Sequence, residues 1–247
     1  MSVQKSNPFS DEYVKKEVEF YNLADYANDV IKIKTTELFG RCDDFLNVRM
    51  RLGGLFCPQF FINNRLWMSI TPMEIQSQYI PIKQAHGNVA VGGLGMGYYL
   101  LRIMAKDNID SIDIYEIEEK AITFFKKNFR YRKGFDKVNF ILGDVRKLMK
   151  DKTYDYAYID VYPDMLPEEV ITDKELLTMN NQIDTYHFWC QEKIFMQANE
   201  KGLLSLSDID DDVQDLFKMW SKSKGAKLRD HELDQSFIET CLDLFDL

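Results

Sequence analysis

Residues 89–97 read Val89-Ala90-Val91-Gly92-Gly93-Leu94-Gly95-Met96-Gly97. A short apolar strand runs here into a glycine-rich turn, and residues 98–104 behind it have helical character. Glycine lets the chain turn sharply between strand and helix, and it lets a ligand approach the bare backbone. The spacing is GxGxG. It is neither the dinucleotide-binding GxGxxG nor the triphosphate-binding GxxxxGK, because Tyr98 stands where the first needs its third glycine and the second its lysine.

From residue 88 onward, short apolar strands alternate with helical segments. This alternation is typical of βαβ units stacked around a parallel sheet. The helix after the second strand, predicted from Glu118 to Phe129, has an apolar face suited to packing on such a sheet. The predicted strands are Val89–Val91, Ser111–Tyr115, Val138–Leu142, Tyr156–Ile159 and Leu203–Leu206.

An acidic residue closes each of three successive strands. Glu116 follows the second strand, Asp144 the third and Asp160 the fourth. Ligands of open α/β sheets bind beyond the carboxyl ends of the strands, so we expect these acids and the glycines to line one cleft. Glu116, nineteen residues after Gly97, is placed to accept hydrogen bonds from both hydroxyls of a ribose.

The residues ahead of the glycine turn predict a small extension of helices and a β-hairpin. Apolar residues recur at helical spacing from Asp11 to Phe39, with Ser10 or Asp11 as the N-cap. Two β-type runs between Gln59 and Ile70 flank Asn63-Asn64, a pair that tolerates the positive φ of a tight turn. Thr71-Pro72 then predicts the start of a helix that runs to about Gln84. Residues 236–247 are compatible with either a helix or an edge strand.

Composition restricts the class of protein. The 247 residues are 45% hydrophobic and 29% charged, which excludes a disordered or collagen-like chain. The net charge of −9 disfavours binding to bulk nucleic acid by charge alone. The four cysteines show no metal-ligand spacing, and no apolar run is long enough to span a membrane. With no signal peptide in the polar first ten residues, we expect a cytoplasmic protein.

The motifs resemble those of class I S-adenosylmethionine-dependent methyltransferases over roughly residues 88–207. The resemblance implies a Rossmann-like, mostly parallel, seven-stranded sheet with helices on both faces, forming a domain of residues 87–247 behind an extension of residues 1–86. It implies S-adenosylmethionine as the cofactor. The residues that would bind it are Gly92, Gly93, Leu94, Gly95, Gly97, Glu116, Ile117, Asp144 and Val145.

Within that superfamily the layout is most similar to the spermidine synthase branch, which also has a hairpin ahead of the glycine loop and an aspartate after the fourth strand. The loop itself differs, because that branch has a Gly-Gly-Gly-Asp-Gly type of sequence. Methyl transfer and aminopropyl transfer are therefore both open, and so is a catalytically silent module that binds the nucleoside or a protein partner.

Asp160 is the candidate catalytic base, since a methyl acceptor must lose a proton. Tyr162 and Asp164 follow it and are candidate acceptor contacts, although Tyr162-Pro163-Asp164 also suits a turn. Residues 208 and 210–212 are acidic, and they suit either a divalent metal or the N-terminus of a helix from Asp211 to Lys222. We favour the helix and predict no metal. We expect a small-molecule substrate and no membrane, and we allow for a homodimer.

Overall fold

A computed structural model describes residues 6–21, 23–38, 41–43, 45, 49–51, 54–164, 167–224 and 232–247. These residues belong to two compact units, one formed by residues 81–191 and the other by residues 1–80 together with 192–247. The domain division predicted between residues 86 and 87 stays a prediction.

The elements, in chain order, are α1 (Asp11–Tyr21), β1 (Tyr26–Ala27), β2 (Ile31–Leu38), β3 (Arg41–Asp43), β4 (Arg49–Arg51), β5 (Leu55–Ile62), β6 (Arg65–Ser69), α2 (Pro72–Ser77), α3 (Tyr79–Gln84), β7 (Gly87–Gly92), α4 (Tyr98–Met104), β8 (Ile109–Glu116), α5 (Glu119–Phe129), β9 (Val138–Leu142), α6 (Val145–Leu148), β10 (Thr153–Ile159), α7 (Glu169–Asn180), β11 (Gln182–Phe188), α8 (Gln191–Glu200), α9 (Asp211–Lys224) and α10 (Gln235–Leu244).

A parallel sheet organises the unit of residues 81–191. Its strands lie in the order β11-β10-β7-β8-β9, and every pair is parallel. Numbered along the chain and read from β9, this order is 3-2-1-4-5, the order of a doubly wound α/β sheet. Because parallel crossovers are right-handed, this order places α4 and α5 on one face and α7 on the other. The α/β prediction is confirmed. The described residues form five parallel strands, however, and not the expected seven.

The fifth strand is β11, and the prediction of a strand at Leu203–Leu206 is wrong. Ser205 there starts a single 3₁₀ turn at Leu206–Asp208, with its hydroxyl accepting a hydrogen bond from the Ser207 N–H. β11 did not show an apolar pattern because it lies at an edge of the described sheet, where most of its side chains are not buried. Its first five residues are exposed or half-buried, and only His187 and Phe188 are buried.

The central strand β7 contains at residues 89–91 the continuous apolar run that is typical of a strand covered on both faces. Val89, Ala90 and Val91 are each at most 1% exposed. Helix α5 is confirmed, and Glu118 caps it by accepting a hydrogen bond from the Lys120 N–H. The predicted apolar face of α5 is buried as expected, at residues 121, 122, 124, 125 and 129.

In the other unit, the helix predicted from Asp11 to Phe39 ends at Tyr21. Residues 31–38 form strand β2 instead. The overriding signal is a period of two, since Ile31 and Ile33 are buried whereas Lys32 and Lys34 are exposed. The N-cap prediction is confirmed, because the Ser10 hydroxyl accepts a hydrogen bond from the Tyr13 N–H at 3.2 Å.

The predicted hairpin is confirmed as β5 and β6, which belong to an antiparallel sheet of order β1-β2-β5-β6. Its turn residues Asn63 and Asn64 have φ values of 50° and 61°. The predicted helix behind the hairpin starts at Pro72 and reaches Gln84, as α2 and α3. Residues 235–244 form a helix, α10, which decides the case left open by the sequence.

The hairpin turn allows a test of the backbone conformation at Asn64, which is exposed. The positive φ values at both turn residues favour glycine. We expect Asn64→Gly to be more stable than Asn64→Ala by about 1–2 kcal/mol, the cost of a left-handed residue with a Cβ. Urea unfolding measures the difference. The two variants differ by one methyl group, so equal stabilities would contradict this turn geometry.

No helix among the described residues has the length and apolar character needed to cross a membrane.

Candidate functional site

The glycine turn joins β7 to α4 through three residues with positive φ. Gly93, Gly95 and Gly97 have φ values of 93°, 52° and 83°. A Cβ atom on Gly93 would lie 2.1 Å from the backbone oxygen of Asp160, and one on Gly97 would lie 2.3 Å from the Phe125 ring. Side chains are therefore excluded at both positions by neighbours distant in sequence as well as by the backbone conformation.

Backbone hydrogen bonds hold together the carboxyl ends of four neighbouring strands. The N–H of Gly93 donates to the oxygen of Tyr115 at 2.9 Å, and the N–H of Asp160 donates to the oxygen of Gly92 at 2.8 Å. The N–H of Gly143 donates to the oxygen of Glu116 at 2.8 Å. The structure thus brings the glycine turn and the segments of Glu116, Asp144 and Asp160 to one edge of the sheet.

Glu116 is bound to the glycine turn itself. Its carboxylate accepts the N–H of Leu94 at 2.9 Å and the N–H of Glu118 at 2.7 Å, and the residue is only 8% exposed. Burial raises the pKa of Glu116, and the backbone N–H groups of Glu118, Leu94, Ile117 and Gly95 oppose that rise. Glu116 therefore shapes the turn, a role that its position in the sequence did not indicate.

Asp160 lies directly after β10 and is half-buried. Burial raises the pKa of its carboxyl group to about 7. The Tyr158 hydroxyl opposes this rise by donating to Oδ2, but at 3.5 Å the hydrogen bond is long and weak. Tyr158 in turn packs on Tyr99, with ring centroids 4.1 Å apart. A carboxyl group with a pKa near 7 can accept or donate a proton at neutral pH.

Asp144 caps helix α6. Its carboxylate accepts the N–H of Arg146 at 3.0 Å, and its side chain stays 27% exposed. Val145 is buried, and its Cγ1 atom would lie 3.1 Å from a Cβ atom on Gly92. Ile117, by contrast, is 72% exposed. Val145 and Ile117, both predicted to contact the cofactor, thus differ, since Val145 packs against Gly92 of the turn and Ile117 faces solvent. Leu94, the third apolar residue of that set, is 6% exposed.

The two candidate acceptor contacts also differ. Asp164 is exposed. Tyr162 is 6% exposed, and its hydroxyl donates to Asp173 at 2.8 Å. Arg146 donates to the same carboxylate through two nitrogens. Sequence reasoning missed Asp173 and Arg146 because nothing local marks a polar contact between residues 27 apart.

Of the acidic residues 208 and 210–212, Asp211 and Asp212 lie in the first turn of α9, Asp210 directly precedes that helix, and Asp208 ends the 3₁₀ turn before it. Within the described ranges, no group of three or more His, Cys, Asp or Glu side chains is arranged to hold a metal ion.

Several solved structures are similar to this chain at low sequence identity. The spermidine synthase of Thermotoga maritima is 14% identical, with a TM-score of 0.40 over 65% of this chain and 52% of that one. The glycopeptide N-methyltransferase MtfA complexed with S-adenosylmethionine is 13% identical, with a TM-score of 0.38 over 46% and 52%. The DhpI-SAM-HEP complex is 16% identical, with a TM-score of 0.36 over 45% and 51%.

The chain spans about half the length of these matched structures. No family model matches the chain, and no curated protein does. The α/β fold itself follows from the strand order and direction described above.

Proposed function

We propose that the chain is an S-adenosylmethionine-dependent methyltransferase that acts on a small-molecule acceptor. The observation that carries the proposal is the meeting of the glycine turn, Glu116, Asp144 and Asp160 at one carboxyl edge of the parallel sheet. This edge is where open α/β sheets bind nucleotides. The half-buried Asp160, with a pKa near 7, adds a group suited to proton transfer.

The residues at this edge fit an adenine nucleoside. Ile117 offers an exposed apolar surface for the base, and the partly exposed carboxylate of Asp144 would accept the exocyclic N–H. A carboxylate accepts about four hydrogen bonds. The Glu116 carboxylate already accepts the N–H groups of Leu94 and Glu118, and its remaining lone pairs would accept hydrogen bonds from the ribose hydroxyls. Gly92, Gly93, Leu94, Gly95 and Gly97 would carry the tail of the donor, with Val145 packed against Gly92.

The chemistry asked of the protein is mainly positioning. S-adenosylmethionine supplies, when bound, a methyl group on a sulfonium sulfur, and its transfer is an in-line displacement that alignment alone accelerates strongly. Asp160 would accept the proton that the acceptor amine or hydroxyl loses. Asp164, exposed four residues later, would contact the acceptor.

Aminopropyl transfer is the second candidate. The hairpin β5–β6 ahead of the glycine turn favours it, as does an aspartate directly after the fourth strand. Both candidates need the same nucleoside site, so the donor separates them.

Calorimetry with S-adenosylmethionine, its decarboxylated form and NAD tests the proposal. We expect S-adenosylmethionine to bind best, with a Kd between about 1 μM and 1 mM, the usual range for enzyme substrates. Preference for the decarboxylated form would favour aminopropyl transfer, and preference for NAD would contradict both candidates. Radiolabelled methyl transfer into fractionated extract then identifies the acceptor.

The proposed contact of Glu116 with the ribose is better tested by changing the ligand than by mutating Glu116. Removing its carboxylate would leave the N–H groups of Leu94 and Glu118 unpaired and deform the turn. We therefore expect 2′-deoxy and 3′-deoxy analogues of S-adenosylhomocysteine to bind the intact protein about tenfold or more weakly, since a hydrogen bond to a charged group contributes about 1.5–3 kcal/mol.

The control is Asp144→Asn, which should weaken every analogue equally because Asp144 would act on the base. If the deoxy analogues bind the intact protein as tightly as the parent compound, the ribose contact is refuted and Glu116 serves the turn alone.

A further inference from the structure

Asp173 is a buried carboxylate that receives three hydrogen bonds from two other segments. Its side chain is 6% exposed. Arg146 donates through Nε to Oδ1 at 2.7 Å and through Nη2 to Oδ2 at 2.8 Å, and the Tyr162 hydroxyl donates to Oδ2 at 2.8 Å. Paired guanidinium–carboxylate hydrogen bonds are strong and fix the relative orientation of their partners.

The two donors stand next to the two acids that are proposed to face the ligand. Arg146 follows Asp144 by two residues, and its N–H is bonded to the Asp144 carboxylate at 3.0 Å. Tyr162 follows Asp160 by two residues. Asp173, on α7, therefore joins the segment after β9 to the segment after β10.

We propose that Asp173 is a positioning residue, which holds the segments of Asp144 and Asp160 in one geometry at the carboxyl edge of the sheet. We call the hydrogen bonds from Arg146 and Tyr162 to Asp173 the link. The ligand bound at this edge rests on the proposed function, whereas the link itself does not. On this inference the Tyr162 hydroxyl binds Asp173 and does not contact a methyl acceptor.

The two groups that donate to Asp173 stay protonated over the pH range in which Asp160 titrates. Burial, followed by the neighbouring Asp173 carboxylate, raises the pKa of Tyr162. The hydrogen bond to Asp173 raises the pKa of Arg146. Both donors therefore stay protonated across neutral pH. The two donors also contact each other, since the ring centroid of Tyr162 lies 5.8 Å from the guanidinium carbon of Arg146.

Tyr162→Phe tests the link, because it removes one hydroxyl and keeps the ring. We expect hydrogen exchange at the Asp160 and Val161 amides to rise about tenfold, as the loosened segment opens more often. We also expect a ¹³C-carboxyl NMR titration of Asp160 to move down by at least about 1 pH unit, toward its ordinary pKa, as water reaches the carboxylate. Neither readout needs a ligand.

Donor binding provides the second readout. Calorimetry should show S-adenosylmethionine binding about 10-fold more weakly to Tyr162→Phe and about 100-fold more weakly to Asp173→Asn, the scale of losses from misplaced site groups. The matched control is Glu175→Gln, which makes the same charge change at an exposed position of α7. This control should leave unchanged the hydrogen exchange at the Asp160 and Val161 amides, the titration of Asp160 and the binding of S-adenosylmethionine.

The outcomes separate this inference from the proposed function. If exchange and titration change in Tyr162→Phe but neither the variant nor the wild type binds S-adenosylmethionine, the link stands and the proposed function fails. If thermal stability falls while the Asp160 titration stays unchanged, Asp173 is structural only and the inference is overturned. Tyr162→Phe suffices for this decision should Asp173→Asn not fold.

Discussion

Gly93→Ala is expected to lower the free energy of unfolding by about 2–5 kcal/mol and to abolish binding of S-adenosylmethionine. A left-handed backbone destabilises a residue with a Cβ by about 1–2 kcal/mol, and overpacking destabilises the fold by about 1–3 kcal/mol more. At Gly93 the obstacle is the backbone oxygen of Asp160, 2.1 Å from the new Cβ, which no side-chain rotation relieves. Either the turn or the Asp160 segment must move, and both belong to the proposed site.

Gly202→Ala is the matched control. Gly202 has a comparable φ of 72°, but a Cβ atom there meets no other atom within 4 Å. Its loss of stability should therefore contain the backbone cost alone, about 1–2 kcal/mol. Urea unfolding compares the two variants, and calorimetry measures the donor. Equal losses in the two variants, or unchanged donor binding in Gly93→Ala, would show that Asp160 does not confine the turn.

Asp160→Asn is expected to reduce methyl transfer by a factor of about 10²–10⁴, the usual contribution of a general base. With a pKa of about 7, the wild-type carboxyl group is a base only when deprotonated. Turnover of the wild type should therefore rise between pH 5 and pH 8, with its midpoint near 7, and the variant should lack this rise. Radiolabelled methyl transfer to the identified acceptor measures both profiles.

The same substitution should make the protein more stable at high pH. The pKa of Asp160 is raised on folding from 3.8 to about 7, so the folded state binds the proton more tightly than the unfolded state. Stability then falls as pH rises from about 4 to 7, where the carboxylate must be buried with its charge. At pH 8 we expect Asp160→Asn to gain on the order of 2–4 kcal/mol over the wild type, and at pH 3 nothing.

Urea unfolding at several pH values, which needs no acceptor, checks this gain. The control is Asp184→Asn, which makes the same charge change at an exposed position of β11. A constant difference between Asp160→Asn and the wild type from pH 3 to pH 8 would mean that Asp160 has an ordinary pKa. A catalytic role near neutral pH would then lose its physical basis.

Elements with a strong local pattern were predictable. The hairpin at Asn63-Asn64, the start of α2 at Pro72 and the apolar face of α5 appear as expected. The predictions failed where a helical spacing and a strand alternation overlapped, or where a strand was too exposed to show an apolar pattern. The apolar residues at helical spacing ended at Ile31, and the alternation of residues 31–34 puts Ile31 and Ile33 into a sheet. β11 carries so many exposed polar residues that the apolar Leu203–Leu206 looked more like a strand.

By itself the sequence determined where the chain turns and where its acids fall. Strand periodicity, the positive φ that glycine and asparagine adopt most easily and the alternation of strands with helices are all local properties. They suffice to place Glu116, Asp144 and Asp160 at the ends of parallel strands.

Only the tertiary structure decided which polar groups distant in sequence contact one another. Glu116 meets the Leu94 N–H across 22 residues, and Arg146 meets Asp173 across 27. Such pairs form because packing of the sheet and its helices buries polar groups that then need partners. Burial also sets the raised pKa of Asp160, which no feature of its neighbouring residues in sequence encodes.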